Sequence, residues 1–317
     1  MTKTRLFILV ALLCAGWGLG AAAATATTVL DIAPGVGVIG AGGAGISLIS
    51  SAETLYYNPA GLASLPGISF TSFFSSYLGE ANYSALALTF RNFGVGALLL
   101  NSGSIQGYDD EGQPTELLGY SSSAYIFAFG IDPSDLPFLP DLPMAMAIGA
   151  QLKAITAKIG DVGGSGFTLD LGFRMGLTVA GFGPVSLSDV AIGITAVNLF
   201  GAMSYGDISD DLAMDLRIGA SARLMDTITV AGDLYLAGAA RFGVSYSPVP
   251  TLALRLGVMS GAGTSFTAGL GVNVQGFLVD YAYVGHTLGG SHRVSLTLDF
   301  SALDIGAFGR SLRRFLP

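Results

Sequence analysis

The side chains able to do chemistry fall at alternate positions. Asp170, Arg174, Asp215, Arg217, Arg223, Asp233, Arg241, Arg255, Asp280, Arg293 and Asp299 all share the polar parity of segments that otherwise read apolar–polar–apolar. Carboxylates and guanidiniums can move protons or hold anions. Neighbouring segments set opposite signs side by side, Asp280 with Arg293 and Asp233 with Arg241. The expected role is a network that fills a polar interior and fixes strand register, because unpaired buried charge is costly. A polar lining or ligand site is the alternative. The two histidines, His286 and His292, make no catalytic pattern: His292 falls on the apolar parity and no serine motif flanks it. The run GAGGAG at 40–45 lacks the strand–loop–helix frame of a dinucleotide site. The one cysteine, Cys14, and two histidines give no zinc pattern. No catalytic residue, metal or cofactor is expected, and the chain is not expected to be an enzyme.

The elements that carry these charges have period two. In 211–224, Asp215, Arg217, Gly219, Ser221 and Arg223 oppose Leu212, Met214, Leu216, Ile218, Ala220, Ala222 and Leu224. In 265–275, polar or tiny Ser265, Thr267, Gly269, Gly271, Asn273 and Gln275 oppose Phe266, Ala268, Leu270, Val272 and Val274. Sustained alternation of this length is a strand crossing a bilayer, with the apolar parity toward lipid. Composition agrees: the chain is 51% hydrophobic and 11% charged, and no apolar run after the first residues is long enough for a transmembrane helix.

Between turn signals the sequence predicts strands at 68–77, 81–91, 93–103, 119–131, 143–158, 166–179, 189–200, 211–224, 226–237, 239–247, 251–260, 264–275, 276–286 and 290–300. The fold expected is an all-β transmembrane antiparallel barrel of about 14 strands at 67–300, both ends facing the periplasm because the number is even. The polar stretch 104–118 reads as the longest outer loop. Short connections at 237–238 and 260–263 lower the rim on one side.

Residues 1–24 read as a signal peptide: Lys3 and Arg5, an apolar run, then small residues. Leu13 before Cys14 does not fit a lipoprotein site. Without that segment, 12 Lys+Arg stand against 22 Asp+Glu, a net charge of −10. Such acidity excludes a nucleic-acid partner. The tail 301–317 places Ile305, Phe308, Leu312 and Phe315 at helical spacing beside Arg310, Arg313 and Arg314, a short basic amphipathic helix for the periplasmic face.

Residues 25–66 break the pattern. Glycines 40, 42, 43 and 45 permit close backbone packing, and Asn58-Pro59-Ala60-Gly61 makes a sharp turn whose asparagine can cap nearby backbone. The segment GGAGISLISSAETLYYNPAGLA at 42–63 resembles the N-terminal signature of the PorV/PorQ family of outer-membrane barrels, related to the FadL-like channels. Later stretches (Arg241–Tyr246, Leu254–Gly257, Phe266–Gly271, Val279–Tyr283 and Ser291–Leu296) follow in that family's order. One departure is that an Ala-Asp-Asp-Ala stretch common before the turn is here Ile49-Ser50-Ser51-Ala52-Glu53, leaving only Glu53. The resemblance implies a plug or hatch at 25–66 and passive transport of hydrophobic small molecules across the outer membrane. Apolar residues on both faces of the first and third strands, among them Phe70, Phe74 and Leu99, would suit a lateral apolar path beside the plug. The resemblance also admits a protein-interaction platform of a type IX-like secretion system, or a structural barrel. The partners implied are outer-membrane lipid, the outer-membrane assembly machinery, and either hydrophobic small molecules or secretion-system proteins.

Overall fold

The computed structural model describes residues 28–49, 51–77, 81–137, 144–178, 186–261, 263–286 and 289–302. The expected signal peptide, and all of the expected tail helix beyond residue 302, lie outside these residues.

Alternation becomes wall. The strands are β1 (Ile68–Tyr77), β2 (Ala81–Phe90), β3 (Phe93–Tyr108), β4 (Pro114–Ile131), β5 (Met146–Ile159), β6 (Val162–Leu177), β7 (Leu187–Val197), β8 (Ala202–Tyr205), β9 (Ile208–Asp211), β10 (Asp215–Leu224), β11 (Ile228–Tyr235), β12 (Ala240–Val249), β13 (Leu252–Ser260), β14 (Thr264–Val274), β15 (Phe277–His286) and β16 (Gly289–Asp299). All but β8 and β9 join in one antiparallel cycle, closed where β1 meets β16 from Ser69↔Asp299 to Ser76↔His292. The result is a closed barrel of 14 strands. Closure pairs every wall strand on both sides, as a bilayer demands. The outer face carries exposed Phe74, Leu86, Phe127, Leu152, Leu256, Phe266 and Leu296. Ser69, Thr71, Thr168, Thr195, Ser295 and Thr297 are buried on the inner face. Phe93 packs on Phe90 and Phe129 at 5.7 and 5.0 Å near one rim, an aromatic cluster of the kind that marks a membrane boundary.

One end has tight turns, such as Gln275-Gly276, whose φ of 53° and 88° give the mirror-image turn that suits strand twist. The other end is uneven. Strands β3 to β6 run 14 to 18 residues, whereas β10 to β16 run 8 to 11. The stretch 104–118, read from sequence as a loop, is mostly strand: Ser104↔Gly119, Ile105↔Leu118 and Gln106↔Leu117 continue the β3–β4 ladder beyond the bilayer-length part. Its polarity reflects height above the membrane, not lack of structure. A second departure lies between β7 and β10, where β8 and β9 form an extra hairpin on the upper part of β6, Ser165↔Ser204 to Phe167↔Ala202.

The core lies inside the barrel, between wall and N-terminal segment. Val29, Val36, Ile39, Ala52, Leu55 and Leu62 of that segment cluster with Phe73, Tyr83, Leu98, Ile126, Ile155 and Ala282 of the wall. The segment is a chain of short helical turns: Val29–Asp31, Gly37–Gly40, Ala52–Tyr56 and Pro59–Ser64.

Candidate functional site

The turn at 58–61 is built as its composition dictates. Asn58 is extended (φ −155°, ψ 109°), Pro59 starts the turn, and the Asn58 side-chain oxygen accepts the Ala60 N–H at 3.0 Å. Asn58 Nδ2 then donates to the Ile46 carbonyl at 2.9 Å and to the Phe173 carbonyl on β6 at 3.0 Å. One side chain thus ties the segment to itself and to the wall. Pro59 and Ala60 rest on Gly149, while a Cβ at Gly61 would collide with Thr54.

Those contacts extend around the barrel. Inward-facing Gly130, Gly149, Gly172, Gly193, Gly243 and Gly257 each meet segment backbone or the Asn58 side chain where a Cβ would overlap it. Register puts several of them opposite one another: Gly130↔Gly149, Gly149↔Gly172 and Gly243↔Gly257. They form a belt without side chains, and the segment's backbone lies against it.

Polar groups fasten what the belt admits. The Asp233 carboxylate accepts the N–H groups of Gly45 and Ile46 at 2.7 and 3.2 Å. Arg174 Nε donates to the Ser47 carbonyl at 2.8 Å, and Arg293 Nη1 to the Ala33 carbonyl at 2.7 Å. Thr267 Oγ1 donates to the Gly40 carbonyl and accepts the Gly42 N–H. Glu53 is buried and accepts the N–H groups of Val36, Gly37 and Val38. Burial first, then the charge on Asp280, pushes the Glu53 carboxyl above its ordinary value, with the three N–H groups pulling it down.

The expected charge network divides into three groups. Asp233, Arg174 and Arg293 hold the segment, and Asp280 pairs with Arg255 at 2.5 Å beside Glu53. The partner expected for Asp280 was Arg293, but register sets Arg293 opposite Ala282 and Asp280 opposite Ser295. Arg255 instead spans from β13 to β15 over Gly271, which has no side chain to block it. A second group surrounds a cavity: Asp170 pairs with Lys153 at 2.5 Å, Asp215 with Arg217 at 2.8 Å, and Arg241 stacks on Tyr235. Arg241 lies directly opposite Asp233 in register, yet Asp233 is turned to the segment. The third group lies at the tight-turn end. Arg223 pairs with largely exposed Asp189, and Asp299 caps the chain by accepting from Ser301. Lys153 and Gln151 were not singled out in the sequence, although the same alternation in 151–157 carries them.

Phe70, Phe74 and Leu99 do not line an opening. They lie on the outer parity, while Phe73, Leu98 and Leu100 turn inward. β1–β2 and β2–β3 are paired without a register break from Ile68↔Phe90 to Tyr77↔Ala81 and from Ala81↔Ser102 to Phe90↔Phe93. Both faces of β3 are apolar, whereas the inner face of β1 is mostly polar, with Ser69, Thr71 and Ser75 around Phe73.

The cavity measures about 220 Å³. Its floor is the segment, through Leu30, Asp31, Ala33, Pro34, Tyr56 and Tyr57. Its walls include Leu98, Ile126, Gln151, Lys153, Val197, Asn198, Asp215, Arg217, Tyr235 and Arg241. Ala237, in the short connection from β11 to β12, puts it toward the uneven end.

No family model matches the chain, and no curated protein matches it. Solved structures do match. A deletion mutant of TodX, a monoaromatic hydrocarbon channel, aligns with TM-score 0.56 and 13% identity over 84% of this chain and 99% of that one. The Pseudomonas putida toluene transporter TodX aligns with TM-score 0.54 and 13% identity over 82% and 98%. A Pseudomonas aeruginosa FadL homologue aligns at 0.49 and 9% identity over 90% and 100%. At such identities the likeness to TodX is one of fold: these channels and this chain share the barrel.

Proposed function

We propose that this protein is an outer-membrane channel for passive transport of small hydrophobic compounds, with residues 28–65 as its hatch. The observation that supports this most is a cavity resting directly on an N-terminal segment inside a 14-strand barrel of the kind found in a toluene transporter. In this reading the start of β1 and the end of β16 face the periplasm with the tight turns, the long hairpins face outward, and ligand waits in the cavity until the hatch shifts. The PorV/PorQ assignment rests on the 42–63 motif and belongs to the same proposal.

The test locks the hatch. A Cβ on Gly40 would lie 3.6 Å from Ala282 Cβ, within the roughly 3.5–4.5 Å span of a disulfide. A protein with Gly40→Cys and Ala282→Cys, in vesicles, should take up toluene when reduced and stop when oxidised. Absence of uptake in both states, with uptake absent in the unaltered protein too, refutes transport.

The density of bonds that fasten the segment favours a second reading, a barrel permanently plugged that serves as a platform for secretion-system proteins. Uptake absent throughout while surface partners co-purify supports it.

A further inference from the structure

The cavity above the segment has two unlike sides. Leu98, Ile126 and Val197 present an apolar wall. Across from them stand charged and amide groups that a hydrocarbon would desolvate without replacing a single hydrogen bond. Most of that charge is already matched. Lys153 is paired with Asp170 and Arg217 with Asp215, and the Asp31 carboxylate, also at the cavity, accepts the Thr28 N–H at 3.1 Å. Arg241 is different. Among the described residues no carboxylate lies within ion-pair distance of it. Its guanidinium rests 4.9 Å from the Tyr235 ring centre, lies against Gly43, and has the Met259 sulfur at 4.0 Å. Asp233, the acid opposite it in register, is committed to Gly45 and Ile46.

A second observation is independent of charge. Gln151 is 2% exposed, lines the same cavity, and its side-chain oxygen has no hydrogen-bond partner. That oxygen only accepts, so it calls for a donor such as a hydroxyl or a water, and the anion is left to Arg241.

Size narrows the ligand. The cavity's 220 Å³ is smaller than the roughly 300–1,000 Å³ typical of sites for drug-sized molecules. An apolar cavity of about 150 Å³ holds benzene, so one ring plus one small polar group fits here. A long acyl chain does not.

We infer that the cavity binds a small monoaromatic carboxylate, with its anion on Arg241 and its ring against Leu98 and Ile126. This deepens the transport reading and rests on it for the cavity's place on a path. A guanidinium takes a carboxylate through two parallel hydrogen bonds, and here the Tyr235 ring already holds one of its faces.

The test is calorimetric titration of the purified full barrel with benzoate and with nitrobenzene, a neutral molecule of the same shape. Benzoate should bind at least about tenfold more tightly, as expected when a charge-assisted bond is gained. The preference should vanish in Arg241→Gln and survive in weakened form in Arg241→Lys. Equal binding of the two probes, or a full preference in folded Arg241→Gln, overturns the inference. The two-probe comparison needs no variant, so it decides even if the glutamine variant does not fold. Toluene uptake by vesicles, measured alongside, separates the two proposals. Uptake without benzoate preference overturns this inference and leaves transport standing. Benzoate preference without uptake of either compound keeps the site and overturns transport.

Discussion

Gly243→Ala adds one methyl group to the barrel's inner face and should loosen the N-terminal segment. The new Cβ would overlap the carbonyl carbon and oxygen of Ala41, far inside the 3.0 Å that real Cβ atoms keep. Gly243 has no positive φ, so alanine suits its strand and the effect is purely steric. The obstacle is backbone, which cannot rotate away. The Gly40–Gly42 turn must therefore withdraw by more than about 1 Å to restore normal contact. That withdrawal stretches both bonds to Thr267, at 3.1 and 3.0 Å. Overpacking costs about 1–3 kcal/mol and each weakened bond about 0.5–1.5 kcal/mol. Taking about 2–4 kcal/mol in all, the ratio of docked to undocked segment falls on the order of 30- to 1,000-fold. Hydrogen exchange by mass spectrometry reads this directly: amides of 37–47 should exchange faster by that factor, with strand amides unchanged. Gly232→Ala is the control, because a Cβ there meets nothing closer than 3.7 Å. A folded Gly243→Ala barrel whose 37–47 amides stay fully protected would refute the idea that the glycine belt exists to admit the segment.

Asp233→Ala orphans the N–H groups of Gly45 and Ile46 and should weaken docking by about 2–4 kcal/mol, seen as protease cleavage within 40–50. Asn58→Ala removes a cap and two carbonyl bonds, an expected loss of about 1–3 kcal/mol. Both residues hold Ile46, so the double variant should lose less than the sum, and strict additivity would show that they act separately. Glu53 binds its proton more tightly docked than free. Its contribution to docking is therefore fully present below its ordinary value of 4.5 and is lost as pH rises through the raised value. A spin label at Leu48→Cys should gain mobility as pH rises above that ordinary value, and Glu53→Gln should flatten that response; an identical pH profile in the glutamine variant contradicts it.

The wall was legible from the sequence because a strand's two faces differ at every second residue. Register errors flip that pattern, so the order of strands followed once the parity was read. The Asn58–Pro59 corner was legible for the same local reason: proline fixes φ and asparagine caps. What stayed hidden depended on the third dimension. Gly219, Gly257, Gly269 and Gly271 could be placed on the inner parity as tiny residues. Nothing local says that Gly257 faces Gly42 or that Gly271 clears a way for Arg255. The misplaced partner of Asp280 has that cause, since adjacency in sequence order stood in for reach across a bare strand. The polar 104–118 stretch misled in another way. Above a membrane a strand has no lipid to face, so its alternation fades while its ladder persists.

The seam between β1 and β16, stitched inside by the Thr71–Thr297 hydroxyl pair at 2.9 Å, joins the first wall strand to the last. No cylinder exists until β16 arrives, whereas residues 28–65 precede every strand. The bonds that hold them come from β4, β6, β7, β11, β14 and β16, nearly the whole circumference. The segment is thus a mandrel, present before the tube that is wound on it. A permuted chain that released the same residues after β16 would have to thread a finished tube.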